Sequence, residues 1–181
     1  MFLVFEKITP IIYTSEVLTP NHYVCFIPVK WFFNVNQFLK NELFYNFSTL
    51  TEISAIDTLK YNKILPDIDI ILHKNQYIIY NMYYIYFTKV RLTFILTYNA
   101  KNNTTPSVEK LYKNANWLER EVSEMFGIHY NDKIDYRVLL LDYSKDEHPM
   151  CKDFPCEGYS DIYYNILTQQ LLTTNTEFVE L

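Results

Sequence analysis

The clearest periodic stretch runs from Lys89 to Tyr98, KVRLTFILTY, with Val90, Leu92, Phe94, Leu96 and Tyr98 on one side and Lys89, Arg91, Thr93 and Thr97 on the other. That is the period-two signature of a half-buried strand. Tyr77 to Phe87 is aromatic and β-branched enough to pair with it as a hairpin. The pair Phe87-Thr88 lacks the Gly or Asn of a tight two-residue turn, so a longer or bulged connection is expected. His22 to Pro28, HYVCFIP, predicts a strand closed by proline. In VNQFLKNELF, Val35, Phe38, Leu39 and Leu43 recur at helical spacing, with Asn34 as the candidate cap. LTEISAIDTL, Leu50 to Leu59, alternates imperfectly and is read as a strand.

AKNNTTP breaks the pattern, and Ser107, with Glu109 and Lys110 after Pro106, can open a second helical region. It contains WLEREVSEMFG, Trp117 to Gly127. On a helical wheel Leu118, Val122 and Met125 form the inward stripe, joined by Trp117 and Phe126, while Glu119, Arg120, Ser123 and Glu124 lie toward the other side. Gly127 suits the left-handed residue after the last turn. A short strand is expected around Arg137 to Leu141. From His148, HPMCKDFPCEGYSDIYYN carries Pro149, Pro155 and Gly158 and no sustained period. Such a segment cannot shelter Phe154, Tyr159, Tyr163 and Tyr164 by itself, and disordered tails are poor in aromatics, so a partner surface is the expected cover.

A chain of 181 residues with 49% hydrophobic content can bury one sizeable core. Tyr 17 and Phe 13 against Gly 2 point to an AT-rich coding genome, of which mitochondrial genomes are one source. A net charge of −5 and the lack of a basic stripe argue against nucleic acid as a partner. Three cysteines, Cys25, Cys151 and Cys156, are too few for a disulfide scaffold and read as free thiols. The apolar run from Tyr77 is too short to span a bilayer, so a soluble or peripheral protein is expected. MFLVFEKITP has no basic leader, so a protein working in an organelle is expected to be made there.

The acid-rich helix leaves three chemical readings open. Glu119, Glu121 and Glu124 could divide acid and base roles, but Glu119 and Glu121 face different directions, and Arg120 with Glu124 has the spacing of an ordinary ion pair. His148, Cys151 and Cys156 could ligate zinc, completed by Cys25 or His129, although the close paired spacings of structural sites are missing. No Gly-rich fingerprint supports a nucleotide, and the cysteines are too few for an iron–sulfur cluster. A stand-alone metal-dependent hydrolase would use Glu121, Glu124 and His148.

Glu119-Arg120-Glu121, then Glu124 to Gly127, then Lys133, Asp135 and Arg137, then LLLDY ending in Asp142 and Tyr143, resemble a known family signature. So do HPMCKDFP, with His148, Pro149, Lys152, Asp153, Phe154 and Pro155, and Gly158-Tyr159. The resemblance is to the thirty-kilodalton subunit family of NADH dehydrogenase, respiratory complex I, known in mitochondria as subunit nine. It extends through IIYNMYYIYFTKVRL upstream and the closing EFVEL. The chain departs from the family at Lys133-Ile134-Asp135, where His-Pro-Asp is usual, at Val138, and at Cys151 and Cys156, which replace an arginine and a leucine.

The resemblance implies an α+β fold: a compact domain over residues 1–145, a mainly antiparallel mixed sheet packed with helices, then an extended C-terminal segment, 146–181, wrapping a partner. It further implies a scaffold of the peripheral arm, on the matrix side of the mitochondrial inner membrane, against the forty-nine-kilodalton subunit in a hetero-oligomer. Trp117, Glu119, Arg120, Glu121 and Phe126 would supply the grip. NADH, FMN, iron–sulfur clusters and ubiquinone would be bound by other subunits and none by this chain. The equivalent subunit of a plastid NAD(P)H dehydrogenase or a membrane-bound hydrogenase is the nearer alternative.

Overall fold

A computed structural model describes residues 15–19, 21–41, 48–59, 77–86, 88–98, 104–143, 145 and 147–176. The expectations for the N-terminal leader, Leu43, residues 100–103 and the closing EFVEL lie outside them. Five strands form one sheet: β1 (Ser15–Thr19), β2 (His22–Phe26), β3 (Ser48–Asp57), β4 (Tyr77–Ile85) and β5 (Val90–Tyr98), in the order β1-β2-β5-β4-β3. β2 runs parallel to β5, and the other pairings are antiparallel. The sheet is therefore mixed, as expected for an α+β chain.

β4 and β5 are in register from Tyr77 opposite Tyr98 to Ile85 opposite Val90. The connection is longer than a two-residue turn, and Lys89 takes a left-handed φ of 53° to re-enter the ladder. The expected apolar face of β5 is buried throughout, with Leu96 at 0% exposure. β3 carries a bulge between Leu50 and Glu52, which accounts for its imperfect alternation.

Helix α1 (Val29–Asn41) starts six residues before the expected Val35, so Asn34 is an exposed mid-helix residue and not a cap. Phe32, Val35, Asn36 and Leu39 form its buried face at i, i+3, i+4 and i+7. Burial of Phe32 holds the first turns helical although VKWFF is poor in strong helix formers. The helix expected from Ser107 begins only at Ala115. Residues 107–114 are turns, with Leu111 and Tyr112 both donating to the carbonyl of Val108.

The remaining elements are β6 (Thr105–Pro106), α2 (Ala115–Phe126), β7 (Tyr130–Asn131), β8 (Ser160–Asn165) and β9 (Gln170–Asn175). β6 and β7 pair in parallel, and β8 and β9 form an antiparallel hairpin that the aperiodic reading of this segment did not anticipate. Its turn is built on Asn165, whose side chain accepts the N–H of Leu167, with Gln169 at a φ of 53°. One face of the sheet packs with both helices into a core that includes Phe32, Ile79, Leu96, Val122 and Ile128.

Leu96→Ala should lower the unfolding free energy by about 2–5 kcal/mol, read from urea denaturation. A loss below about 1 kcal/mol would contradict a close-packed core at this position.

Candidate functional site

Helix α2 turns Ala115, Val122 and Phe126 into the core, as its apolar spacing requires. Its charged side is also covered, contrary to the expectation that Glu119 and Arg120 lie outward. Glu119 is 1% exposed and Arg120 8%. The reason is that segments far along the chain, residues 105–109 and 130–141, pack against this side of the helix, and Ser107, Val108 and Lys133 donate to Glu119. The N–H of Val108 donates to Oε1 of Glu119 (2.8 Å), while the Ser107 hydroxyl (2.6 Å) and the Lys133 ammonium (3.2 Å) donate to Oε2. Trp117, expected inward, is exposed beside the Arg120 guanidinium, 5.8 Å from its ring centroid.

Lys133 also donates to the carbonyl of Asn116 (2.9 Å) and lies 3.6 Å from Glu109. Glu109 accepts the side-chain amide of Asn116 and the N–H of Ile134 (3.1 Å). Burial pushes the Glu119 carboxyl above its usual range, with the bonds from Ser107, Val108 and Lys133 pulling the other way. At Glu109 burial also pushes upward, but Asn116, the Ile134 N–H and Lys133 outweigh it and hold the carboxyl below its usual range.

Arg120 and Glu124 hold the next stretch of backbone. Arg120 donates from Nε to the carbonyl of Arg137 (2.7 Å) and from Nη2 to that of Val138 (3.1 Å), and its Nη1 lies 3.6 Å from Asp135. Asp135 bridges to Arg137 at 2.8 Å, and that side-chain bond drives its carboxyl well below the usual range. Glu124 accepts the N–H groups of Leu139, Leu140 (2.8 Å) and Leu141 (3.2 Å). These bonds replace both the strand expected at Arg137 to Leu141 and the expected Arg120–Glu124 ion pair. They leave Ile134, Tyr136, Leu140 and Tyr143 facing solvent, from 59% to 75% exposed.

A helix end leaves carbonyls without intrahelical partners. Here His148 to Cys151 supplies most of them. Gly127, in the expected left-handed conformation, donates to Ser123 (2.9 Å), and Nδ1 of His148 donates to Glu124 (2.7 Å). The Met150 N–H donates to Met125 (3.0 Å) and the Cys151 thiol to Phe126 (3.7 Å). A Cβ on Gly127 would sit 2.8 Å from the His148 ring. The Lys152 N–H then donates to Asp57 at the end of β3 (2.9 Å). The polar bonding of the chain thus continues past residue 145.

Beyond this latch, Phe154 meets Tyr159 edge-on at 5.2 Å, and Gly158, at a φ of 74°, donates to the carbonyl of Pro155. Pro149 and Pro155 are half-buried, and Asp142, Lys152, Asp153 and Tyr159 are exposed.

The hydrolase grouping is not assembled: Glu121 is exposed, Glu124 is occupied by backbone N–H groups, and His148 caps the helix. Nor are His148, Cys151 and Cys156 brought together as a metal site. Among the described residues Asp57, Cys151 and Asp153 place their ligand atoms within 4.8 Å of one another. Both Asp57 oxygens already accept backbone N–H groups, from Leu59 and Lys152, and burial raises the Cys151 thiol pKa, which suits a latch better than a ligand set. Sequence reasoning missed Glu109, Asn116 and Asp57 as partners. The only local signal was Ser107 two residues before Glu109, whose N–H donates to the Ser107 hydroxyl.

Residues 27–160 match the family described as "Respiratory-chain NADH dehydrogenase, 30 Kd subunit". NADH-ubiquinone oxidoreductase subunit 9 of Paramecium primaurelia is 36% identical over 181 residues, 100% of this chain and 85% of the relative. The mitochondrial NADH-ubiquinone oxidoreductase 30.4 kDa subunit of Neurospora crassa is 30% identical over 81% of this chain and 47% of its own length. The fold is shared with a trypsin-resistant fragment of Nqo5 (TM-score 0.60, 19% identity, 74% of this chain and 96% of that one). It is shared also with a chain of an archaeal membrane-bound sulfane sulfur reductase (TM-score 0.64, 16% identity, 85% and 82%).

Gly127→Ala should cost about 1–3 kcal/mol through the left-handed backbone and the displaced His148 ring. Gly158→Ala, where the nearest atom to an added Cβ is 3.9 Å away, should cost less in the same thermal unfolding experiment. Equal losses would show that His148 does not press on Gly127. The depressed Glu109 pKa contributes stability above the ordinary carboxylate range that is lost as pH falls through the folded value. Glu109→Gln should therefore destabilise at neutral pH, with the gap to the parent closing as pH falls below the ordinary carboxylate range; a gap independent of pH would contradict this.

Proposed function

Because the chain belongs to the 30 kDa subunit family of respiratory-chain NADH dehydrogenase, we propose that it is a structural subunit of a hetero-oligomeric NADH:ubiquinone oxidoreductase. In this reading it sits in the peripheral arm on the matrix side of the mitochondrial inner membrane, against the forty-nine-kilodalton subunit, and its gene is carried by the organelle. NADH, FMN, iron–sulfur clusters and ubiquinone are held by other subunits. This chain keeps those subunits in fixed relation while electrons pass toward ubiquinone and protons are translocated elsewhere.

The observation that carries the proposal is a set of large apolar side chains left uncovered on a domain that already has its own apolar core. The β8–β9 hairpin presents Ile162, Ile166, Leu167 and Leu171 at 58%, 80%, 94% and 71% exposure. A soluble monomer rarely leaves so many large apolar side chains adjacent and uncovered, whereas a docking surface requires them. The exposed loop of Ile134, Tyr136, Leu140 and Tyr143 is held by Arg120, Asp135 and Glu124, so little ordering entropy remains to be lost on docking. Glu119, Arg120 and Glu124 thus serve the interface from inside by fixing the loop's shape. Trp117, Glu121, Asp153 and Tyr159 are exposed and can meet a partner from outside. The 36% identity to a ubiquinone-type subunit 9 favours the mitochondrial host over a plastid or hydrogenase complex. Among the described residues no helix is long and apolar enough to cross a membrane, which agrees with a peripheral position.

Mild-detergent extraction by a tag on this chain should recover the other peripheral-arm subunits. Recovery of the chain alone would refute the assignment. Arg120→Ala removes the donors to the carbonyls of Arg137 and Val138 that brace the exposed loop, while Asp135 keeps Arg137. It should reduce the amount of assembled complex, measured on native gels, more than NADH oxidation per assembled complex. Normal assembly with turnover abolished would reverse that order and contradict a structural role.

A further inference from the structure

A groove of about 400 Å³ runs between β3 and helix α2. Its floor is apolar, with Val122 at 4% and Phe126 at 7% exposure. Two methionines line it: Met125 is half-buried, and Met150 is 57% exposed although its N–H is fixed to the carbonyl of Met125. Unbranched thioether side chains on an anchored backbone adapt to an inserted apolar group without moving the wall. The rim is acidic: Glu52 comes from β3 and Glu121 from α2, both exposed. Neither carboxylate has a hydrogen bond or ion pair among the described residues, unlike Glu119 and Glu124 on the same helix and Glu109 before it.

We propose that this groove is a docking site for a segment of a different polypeptide that inserts one apolar side chain between Met125 and Met150 and sets lysine against Glu52 and Glu121. Charge complementarity selects that occupant. The chain's own residues 177–181, EFVEL, bring Glu177 and Glu180, which the rim repels, and a second copy carries the same net charge of −5. Two unpaired carboxylates over an apolar floor match the arrangement in which rim charges orient a partner and the buried anchor holds it. The inference rests on the proposal that the chain is a subunit of a larger complex, and it adds a location and a partner chemistry to it.

The test uses the native assembly recovered by a tag on this chain and treated with a water-soluble carbodiimide, which joins carboxylates to lysine amines. The expected product is a cross-link from Glu52 or Glu121 to a lysine of another polypeptide, next to an apolar residue in that polypeptide's sequence. Charge reversal at both positions, Glu52→Lys with Glu121→Lys, should lower recovery of that polypeptide by about tenfold or more, and the Gln variants should lower it less. Both side chains are exposed, so unchanged thermal unfolding of the isolated variants confirms intact folding. An assembly recovered without these cross-links, cross-links only within this chain or to a second copy, or undiminished recovery after charge reversal would each overturn the groove and leave the subunit assignment standing. A chain recovered alone would overturn both.

Discussion

Helix α2 turns most of its charges inward, and the rest of the domain is arranged around satisfying them. A carboxylate at 1% exposure is strongly destabilising unless it is bonded, because several kcal/mol of lost hydration must be offset by donors in good geometry. Glu119 finds them in Ser107, Val108 and Lys133, which fixes how the chain enters the helix and where Lys133 must return. Arg120 and Glu124 extend the same logic, one taking carbonyls and the other N–H groups from consecutive residues of 137–141. Those residues have no strand partner, and the two side chains of the helix stand in for one.

The end of the same helix organises the C-terminal segment. Its exposed carbonyls require donors, and His148, Met150 and Cys151 provide them, so the chain is latched to the domain before it leaves toward the hairpin. Gly127 permits this because the His148 ring occupies the space where a Cβ would stand. While most charges of this helix find partners within the chain, large apolar side chains are left outside: Ile134, Tyr136, Leu140 and Tyr143 in the loop, Ile162, Ile166, Leu167 and Leu171 in the hairpin, and Met150 at the groove. The chain belongs to the 30 kDa subunit family of respiratory-chain NADH dehydrogenase, and under the function proposed above these uncovered apolar groups are where neighbouring subunits would dock.

Four of the five strands of the sheet were legible because alternation and β-prone runs are local signals, whereas β1 (Ser15–Thr19) was not anticipated. β5 buries the side of Val90 to Tyr98 that its sequence names, and Gly127 ends α2 as its position suggests. What escaped depends on contacts far apart in sequence. Helical spacing identifies the apolar stripe of α2, but nothing within Glu119-Arg120-Glu121 says that Ser107 and Lys133 will cover the first, that the carbonyls of Arg137 and Val138 will take the second, and that the third will stay in solvent. The run Leu139-Leu140-Leu141 reads as a strand until Glu124 takes its N–H groups. Helix α1 starts early because Phe32 is buried by tertiary packing that VKWFF does not announce. The β8–β9 hairpin is exposed on both faces, so it lacks the apolar-in, polar-out contrast by which strands are recognised. The family motif was legible as a set, although His148 acts as a helix cap and Arg120 as a brace, roles that the motif alone does not convey.

Hydrogen exchange, resolved by residue and compared between the isolated chain and the assembled complex, tests the central claim most directly. The account predicts slow exchange at Leu139 to Leu141 in both states, because Glu124 binds those N–H groups within the chain, and slow exchange at the outward backbone groups of residues 160–175 only in the complex. Rapid exchange at Leu139 to Leu141 in the folded chain would contradict the internal clamp, and equal protection of the hairpin in both states would contradict its completion by a neighbour.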